Sequence, residues 1–130
     1  VMTPSFDRSR IAILVVEDEP MLLWDAIDMI EEAGFTAYGA ANADEAIRLL
    51  KRHSNIRVLF TDVDMPGSMD GLKLAHAVCE SHPPISIILA SGHIRISKDQ
   101  LPKGGQFFSK PYPPASIVKA LNKIAEQIAN

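Results

Sequence analysis

Five residues scattered along the chain carry side chains that belong together chemically: the carboxylates of Glu17, Asp18 and Asp62, the hydroxyl of Ser91 and the ammonium of Lys110. Each stands at the end of a short apolar run, in Val15-Val16-Glu17-Asp18, Phe60-Thr61-Asp62, Leu89-Ala90-Ser91 and Phe108-Ser109-Lys110. Three carboxylates gathered in one place repel one another and are costly to keep ionised without a counter-charge. A hard divalent cation with oxygen ligands resolves that conflict. Mg²⁺, with Mn²⁺ as an alternative, suits a site where the protein gives one or two carboxylates and water and phosphate oxygens give the rest. A lysine and a hydroxyl alongside neutralise the charge spread over a phosphoryl group in transfer. An aspartate can itself take that group as an acyl phosphate, and Asp62 is the candidate. Singly these residues mean little, since acidic residues at strand ends are common helix caps.

They can meet only if the intervening elements bring them together. Ile11–Val16 is a continuous, largely β-branched run, the pattern of a strand buried on both faces. Pro20 suits a first helical turn, and Leu23, Ile27 and Ile30 recur at helical spacing until Gly34. Phe35–Ala40 reads as a second strand. Asn42 and Glu45 form a capping-box pattern ahead of the Ala43, Ala46, Ile47 and Leu50 stripe. Val58–Thr61 is a third strand, and a helix is expected from about Gly71 to Glu80, stopped by Pro83-Pro84. Ile85–Ala90 and Gln106–Ser109 are the fourth and fifth strands, and the last helix begins near Pro114. Ser91–Gly105 has a poor helical pattern, cut by Pro102 and Gly104-Gly105, and predicts a loop with at most a short helix started by Ser97. Alternating strands and helices imply an α/β fold, a doubly wound five-stranded parallel sheet. The flavodoxin-like order 2-1-3-4-5, with the fourth helix shortened or irregular, puts the carboxyl ends of the first, third, fourth and fifth strands side by side.

The bulk properties agree. A chain of 130 residues holds one domain, expected over residues 10–130 behind a flexible tail at 1–9. The net charge of −3 gives no support for nucleic acid or an anionic membrane as partner. Cys79 is the single cysteine, so no intrachain disulfide forms and a cytoplasmic setting is expected. The apolar runs are too short to span a bilayer. His53, His76 and His82 lack metal-ligand spacing and read as surface residues, and Trp24 reads as packing in the first helix.

With these residues in place, the chain resembles a receiver domain of a two-component response regulator, of the stand-alone, single-domain type, from Ile11 to the C-terminus. The resemblance rests on Val-Val-Glu17-Asp18-Glu19-Pro20, Phe-Thr-Asp62-Val-Asp64-Met65-Pro66, Leu-Ala-Ser91-Gly92 and Ser-Lys110-Pro111, in this order and spacing. It implies a bacterial, cytoplasmic signalling switch that is not an enzyme beyond catalysing its own phosphorylation and dephosphorylation. Asp62 would accept the phosphoryl group from a histidine kinase or histidine phosphotransfer protein. Glu17, Asp18, Asp62 and the backbone carbonyl of Asp64 would hold Mg²⁺. Ser91 and Lys110 would engage the phosphoryl oxygens, Phe107 would rotate on activation, and the Lys110–Pro111 bond is often cis in this family. Asp64 and His93, two residues beyond Asp62 and Ser91, would tune the lifetime of the phosphoryl group. The downstream partner is an unknown protein, and the chain itself a monomer or weak homodimer.

The sequence departs from the family in four places. The Pro66–Gly71 loop holds one residue more than usual, the Ser91–Lys110 interval is shorter at the expense of the fourth helix, Glu17 replaces the commoner aspartate, and no effector domain is expected within these 130 residues. A phosphate shuttle or sink in a phosphorelay, and a receiver-like module that binds partners without phosphorylation, are alternative readings. A rival of another class is a haloacid-dehalogenase-type phosphatase, whose Asp-x-Asp motif Asp62-Val63-Asp64 matches. That motif closes the first strand in those enzymes and the third here, and they need a longer core and a cap.

Overall fold

The computed structural model describes residues 7–65, 67 and 69–129. Five parallel strands, β1 (Ala12–Val16), β2 (Thr36–Ala40), β3 (Ile56–Asp62), β4 (Ser86–Ser91) and β5 (Gln106–Ser109), form one sheet in the order β2-β1-β3-β4-β5. All four pairings are parallel, and the doubly wound arrangement expected from the element order is the one observed. The helices are α1 (Pro20–Glu32), α2 (Ala43–Arg52), α3 (Gly71–Ser81) and α4 (Pro114–Ala129).

Side chains alternate across a strand, so a strand that is apolar throughout must feed two cores. β1 does this. Ala12, Leu14 and Val16 pack with Ala46 and Leu50 of α2 and Leu74 and Val78 of α3. Ile11, Ile13 and Val15 pack with Ala26 and Ile30 of α1 and Ile117, Leu121 and Ile124 of α4. β3 and β4 divide the same way, Leu59 and Leu89 to one face, Phe60 and Ile88 to the other.

Local chemistry sets where each helix starts. Pro20 opens α1, and Gly34, at φ +98°, turns the chain out of it toward β2. The Asn42 side chain accepts from the Glu45 backbone N–H at 2.9 Å, and the Glu45 carboxylate accepts from the Ala41 N–H at 2.8 Å. Asp70 caps α3 by accepting from the Lys73 N–H at 2.9 Å.

Between β4 and β5 the irregular fourth helix reaches its limit: residues 92–105 form no helix. The short helix allowed for at Ser97 is a hydrogen-bonded turn instead, Gln100 N–H donating to the Ser97 carbonyl at 3.0 Å. Buried Pro102 and Gly104 at φ +77° prevent its extension. At the other end of the chain, residues 1–6 of the expected tail lie outside the described residues. Asp7 caps a 3-10 turn, Arg8–Arg10, tied to the domain by Arg8 Nε donating to Asn122 and Thr36 Oγ1 donating to the Ser9 carbonyl. Among the described residues no helix is long and apolar enough to cross a membrane.

Candidate functional site

Glu17 and Asp18 follow β1, Asp62 ends β3, Ser91 ends β4, and Lys110 follows β5. The register brings them to one edge of the sheet, with Val16 opposite Thr61, Asp62 opposite Ala90 and Ser91 opposite Ser109. One carboxylate oxygen from each of Glu17, Asp18 and Asp62 lies within 4.8 Å of the other two. Lys110 Nζ donates to Glu17 Oε1 at 3.0 Å and sits 3.0 Å from Asp62 Oδ1. The ammonium therefore bridges two of the three carboxylates. Hard oxygen donors at this separation fit a cation of the Mg²⁺ or Mn²⁺ type.

The electrostatics follow from burial. Glu17 is only 7% exposed, and desolvation raises its pKa despite the Lys110 hydrogen bond and the Glu19 N–H it accepts. Asp62 is raised for the same leading reason, with Asp64 and Asp18 adding like charge against the lowering effect of Lys110. Burial works to lower Lys110, but its hydrogen bonds and attraction to Glu17 and Asp62 outweigh this and raise its pKa. The site thus concentrates negative charge that one lysine only partly offsets.

The remaining candidates are arranged differently. Ser91 is buried, and its hydroxyl donates to Asp64 Oδ2 at 3.1 Å rather than to Asp62. His93 is exposed, and only its backbone contacts Ser91, N–H to Oγ at 3.2 Å. Phe107 is partly buried against the core beneath α2 and α3. The Lys110–Pro111 bond is cis. Of the longer Pro66–Gly71 loop, Pro66 and Ser68 lie outside the described residues.

Sequence reasoning missed three participants. Gly71 reads as no more than a helix start, yet a Cβ there would collide with the Asp62 carbonyl, and its N–H donates to the Val63 carbonyl at 2.9 Å. The Asp70-Gly71 pair, a cap followed by the smallest residue, was the available signal. Tyr112 packs its ring against Phe60, centroids 5.9 Å apart, and lines a cavity of about 430 Å³ together with Glu17, Asp62, Lys110 and Met29. The Asp64–Ser91 bond is the third. Trp24 corrects an expectation in the other direction. The sheet-facing stripe of α1 is Leu23, Ala26, Ile27 and Ile30, which leaves Trp24 on the outer face and 69% exposed. Of the three histidines expected at the surface, His76 is exposed and meets the Gln100 carbonyl at 2.7 Å, whereas His53, stacked on Tyr38 at 4.0 Å, and His82, paired with Ser81, are half-buried.

Fold and site together define a class: an open, doubly wound α/β domain with an acidic cluster and a lysine at the carboxyl ends of its strands. Residues 13–122 match the response regulator receiver domain, and the chain belongs to that family. It is 29% identical to the nitrogen assimilation regulatory protein NtrX of Azorhizobium caulinodans over 89% of this chain but 26% of that protein. The chain thus spans about a quarter of that regulator. It is 28% identical to the chemotaxis protein CheY of Thermotoga maritima over 88% of this chain and 97% of that one. A response regulator receiver protein from Sinorhizobium medicae WSM419 superposes with a TM-score of 0.80 at 26% identity, covering 89% of this chain and 94% of the other. Receiver domains are the signalling switches of two-component systems rather than classical enzymes, and they interact with histidine kinases and phosphotransfer partners.

Proposed function

We propose that this domain is a phosphorylatable switch in which Asp62 accepts a phosphoryl group from a histidine kinase or histidine phosphotransfer protein. The observation that carries the reading is Lys110 Nζ lying 3.0 Å from both Glu17 and Asp62 within the three-carboxylate cluster. An Asp62 side-chain oxygen attacks the phosphorus of a phosphohistidine, forming an O–P bond as the N–P bond breaks and the imidazole nitrogen keeps the electron pair. Lys110 is placed to follow the charge from the carboxylate to the phosphoryl oxygens. Glu17, Asp18, Asp62 and the backbone carbonyl of Asp64 would hold Mg²⁺, which supplies charge neutralisation for the incoming group.

A phosphoryl group on Asp62 adds nearly two negative charges and strong acceptor oxygens. Ser91 and Lys110 are drawn to it, Phe107 turns with them, and the face carrying residues 92–105, β5 and α4 changes shape for a downstream protein. Asp64 and His93 flank the approach of a hydrolysing water and tune how long the group survives.

Intact-mass spectrometry after incubation with acetyl phosphate, with and without Mg²⁺, tests the reading on wild type and Asp62→Asn. The expected result is a Mg²⁺-dependent gain of one phosphoryl mass that the variant lacks. An adduct that persists in Asp62→Asn would remove Asp62 from its role. Steady turnover of a phosphate ester would point to the phosphatase reading instead.

A further inference from the structure

Ser91 is 2% exposed, and its hydroxyl has no capacity left. A serine offers one proton and two acceptor directions. The proton is committed to Asp64 Oδ2 at 3.1 Å, and Oγ accepts the backbone N–H groups of Ile94 at 2.9 Å and His93 at 3.2 Å. Among the described residues no hydrogen bond joins the Ser91 hydroxyl to Asp62 or Lys110. A hydroxyl that must donate to a phosphoryl oxygen on Asp62 cannot donate to Asp64 at the same time.

We propose that Asp64 is a positioning residue that holds the Ser91 hydroxyl in a resting arrangement, and that breaking this bond releases the turn at His93 and Ile94. The inference rests on the phosphorylation reading above and names its internal restraint. The phosphoryl group acts on the restraint twice. It offers more strongly charged acceptor oxygens, and it places further negative charge beside an Asp64 carboxylate that Asp62 already feels. Once Ser91 turns, its Oγ no longer caps the two amides that begin the helix-free segment 92–105, where Ile94 is 44% exposed. In a receiver without a helix in this interval, that turn takes the place of a helix shift. The backbone bond from Lys110 N–H to the Ser91 carbonyl, 2.9 Å, keeps the strand end in place while the side chain moves.

Amide hydrogen exchange at His93 and Ile94 in unphosphorylated protein tests this, comparing wild type with Asp64→Ala, Asp64→Asn and Ser91→Ala, singly and combined. Asp64→Ala should speed exchange at both amides by about tenfold, as expected for losing a charge-assisted hydrogen bond. Asp64→Asn, which keeps an acceptor oxygen, should stay within about twofold of wild type, below the weight of one ordinary hydrogen bond. Ser91→Ala should match Asp64→Ala, and adding Asp64→Ala to it should change nothing further. Unchanged exchange in Asp64→Ala, an equal rise in Asp64→Asn, or a full additional rise in the Ser91→Ala background would each overturn the proposal. Failure of the phosphorylation reading shows separately, as a missing mass gain on Asp62 in wild type.

Discussion

Two regions at the carboxyl ends of the strands are built on opposite terms. Around Asp62 the backbone is over-determined. β3 is paired on both sides, Gly71 closes on the Asp62 carbonyl, and Val63 is buried behind it. That rigidity holds together charges that would otherwise spread apart. One strand further along the sheet edge, the β4–β5 connection has almost none of this. It carries no helix, most of residues 92–100 are exposed, and its first turn is fastened by a single serine hydroxyl. The contrast teaches a division of labour. The part that handles charge is rigid and electrostatically unfavourable, and the part that can change shape is weakly held.

Breaking the rigid side should have the largest effect. Gly71→Ala forces a Cβ into the Asp62 carbonyl and is expected to cost about 3 kcal/mol or more, read as a lowered urea midpoint. Lys110→Ala removes the ammonium that sits between Glu17 and Asp62. Because the lysine is partly exposed, a loss of about 2 kcal/mol is expected, below that of a fully buried pair, measured in EDTA at neutral pH.

Charge removal sharpens the comparison with the opposite sign. Burial raises the pKa of Glu17 and of Asp62, so the folded state binds protons more tightly than the unfolded chain between the ordinary carboxylate range and the raised values. Stability in EDTA should therefore rise as pH falls from neutral through the raised pKa values, until other carboxylates begin to protonate. Asp62→Asn should raise stability at neutral pH by about 1 kcal/mol and flatten that limb in a urea titration. Lys110 acts at the other end of the scale. Its raised pKa means that its contribution is present below the ordinary lysine value and fades as pH climbs through the raised one. The smallest effect belongs to the weakly held region, where Ile94→Ser should change the stability obtained from urea unfolding by less than about 0.5 kcal/mol.

The sequence shows much of this because buried parallel strands are conspicuous. Ile11–Val16, Val58–Thr61 and Ile85–Ala90 are apolar enough to be read directly, and the residues that follow them are the candidate site. β3 starts earlier than expected, at Ile56, because Arg57 interrupts the apolar pattern: Ile56 pairs with Ala12, and the register skips Arg57 before resuming at Val58 opposite Ile13. What stayed hidden depends on side-chain direction. Whether the Ser91 hydroxyl faces Asp62 or Asp64 is settled by a rotamer and by two backbone amides that no spacing rule contains. The outward face of Trp24 is set by how α1 rotates on the sheet, and the four-residue stripe from Leu23 to Ile30 fixes that only once its contacts are known.

The strand order has a consequence in time as well as in space. β5 is a four-residue edge strand with partly exposed residues and one neighbour, β4. Edges of this kind open at lower free energy than the centre of a sheet, where β3 lies. Asp62 therefore stands on one of the last strands to breathe, while Lys110 follows one of the first. Each brief peeling of that edge would carry the ammonium away and leave the carboxylates facing one another alone, so the field at Asp62 should flicker at the rate at which β5 lifts and returns.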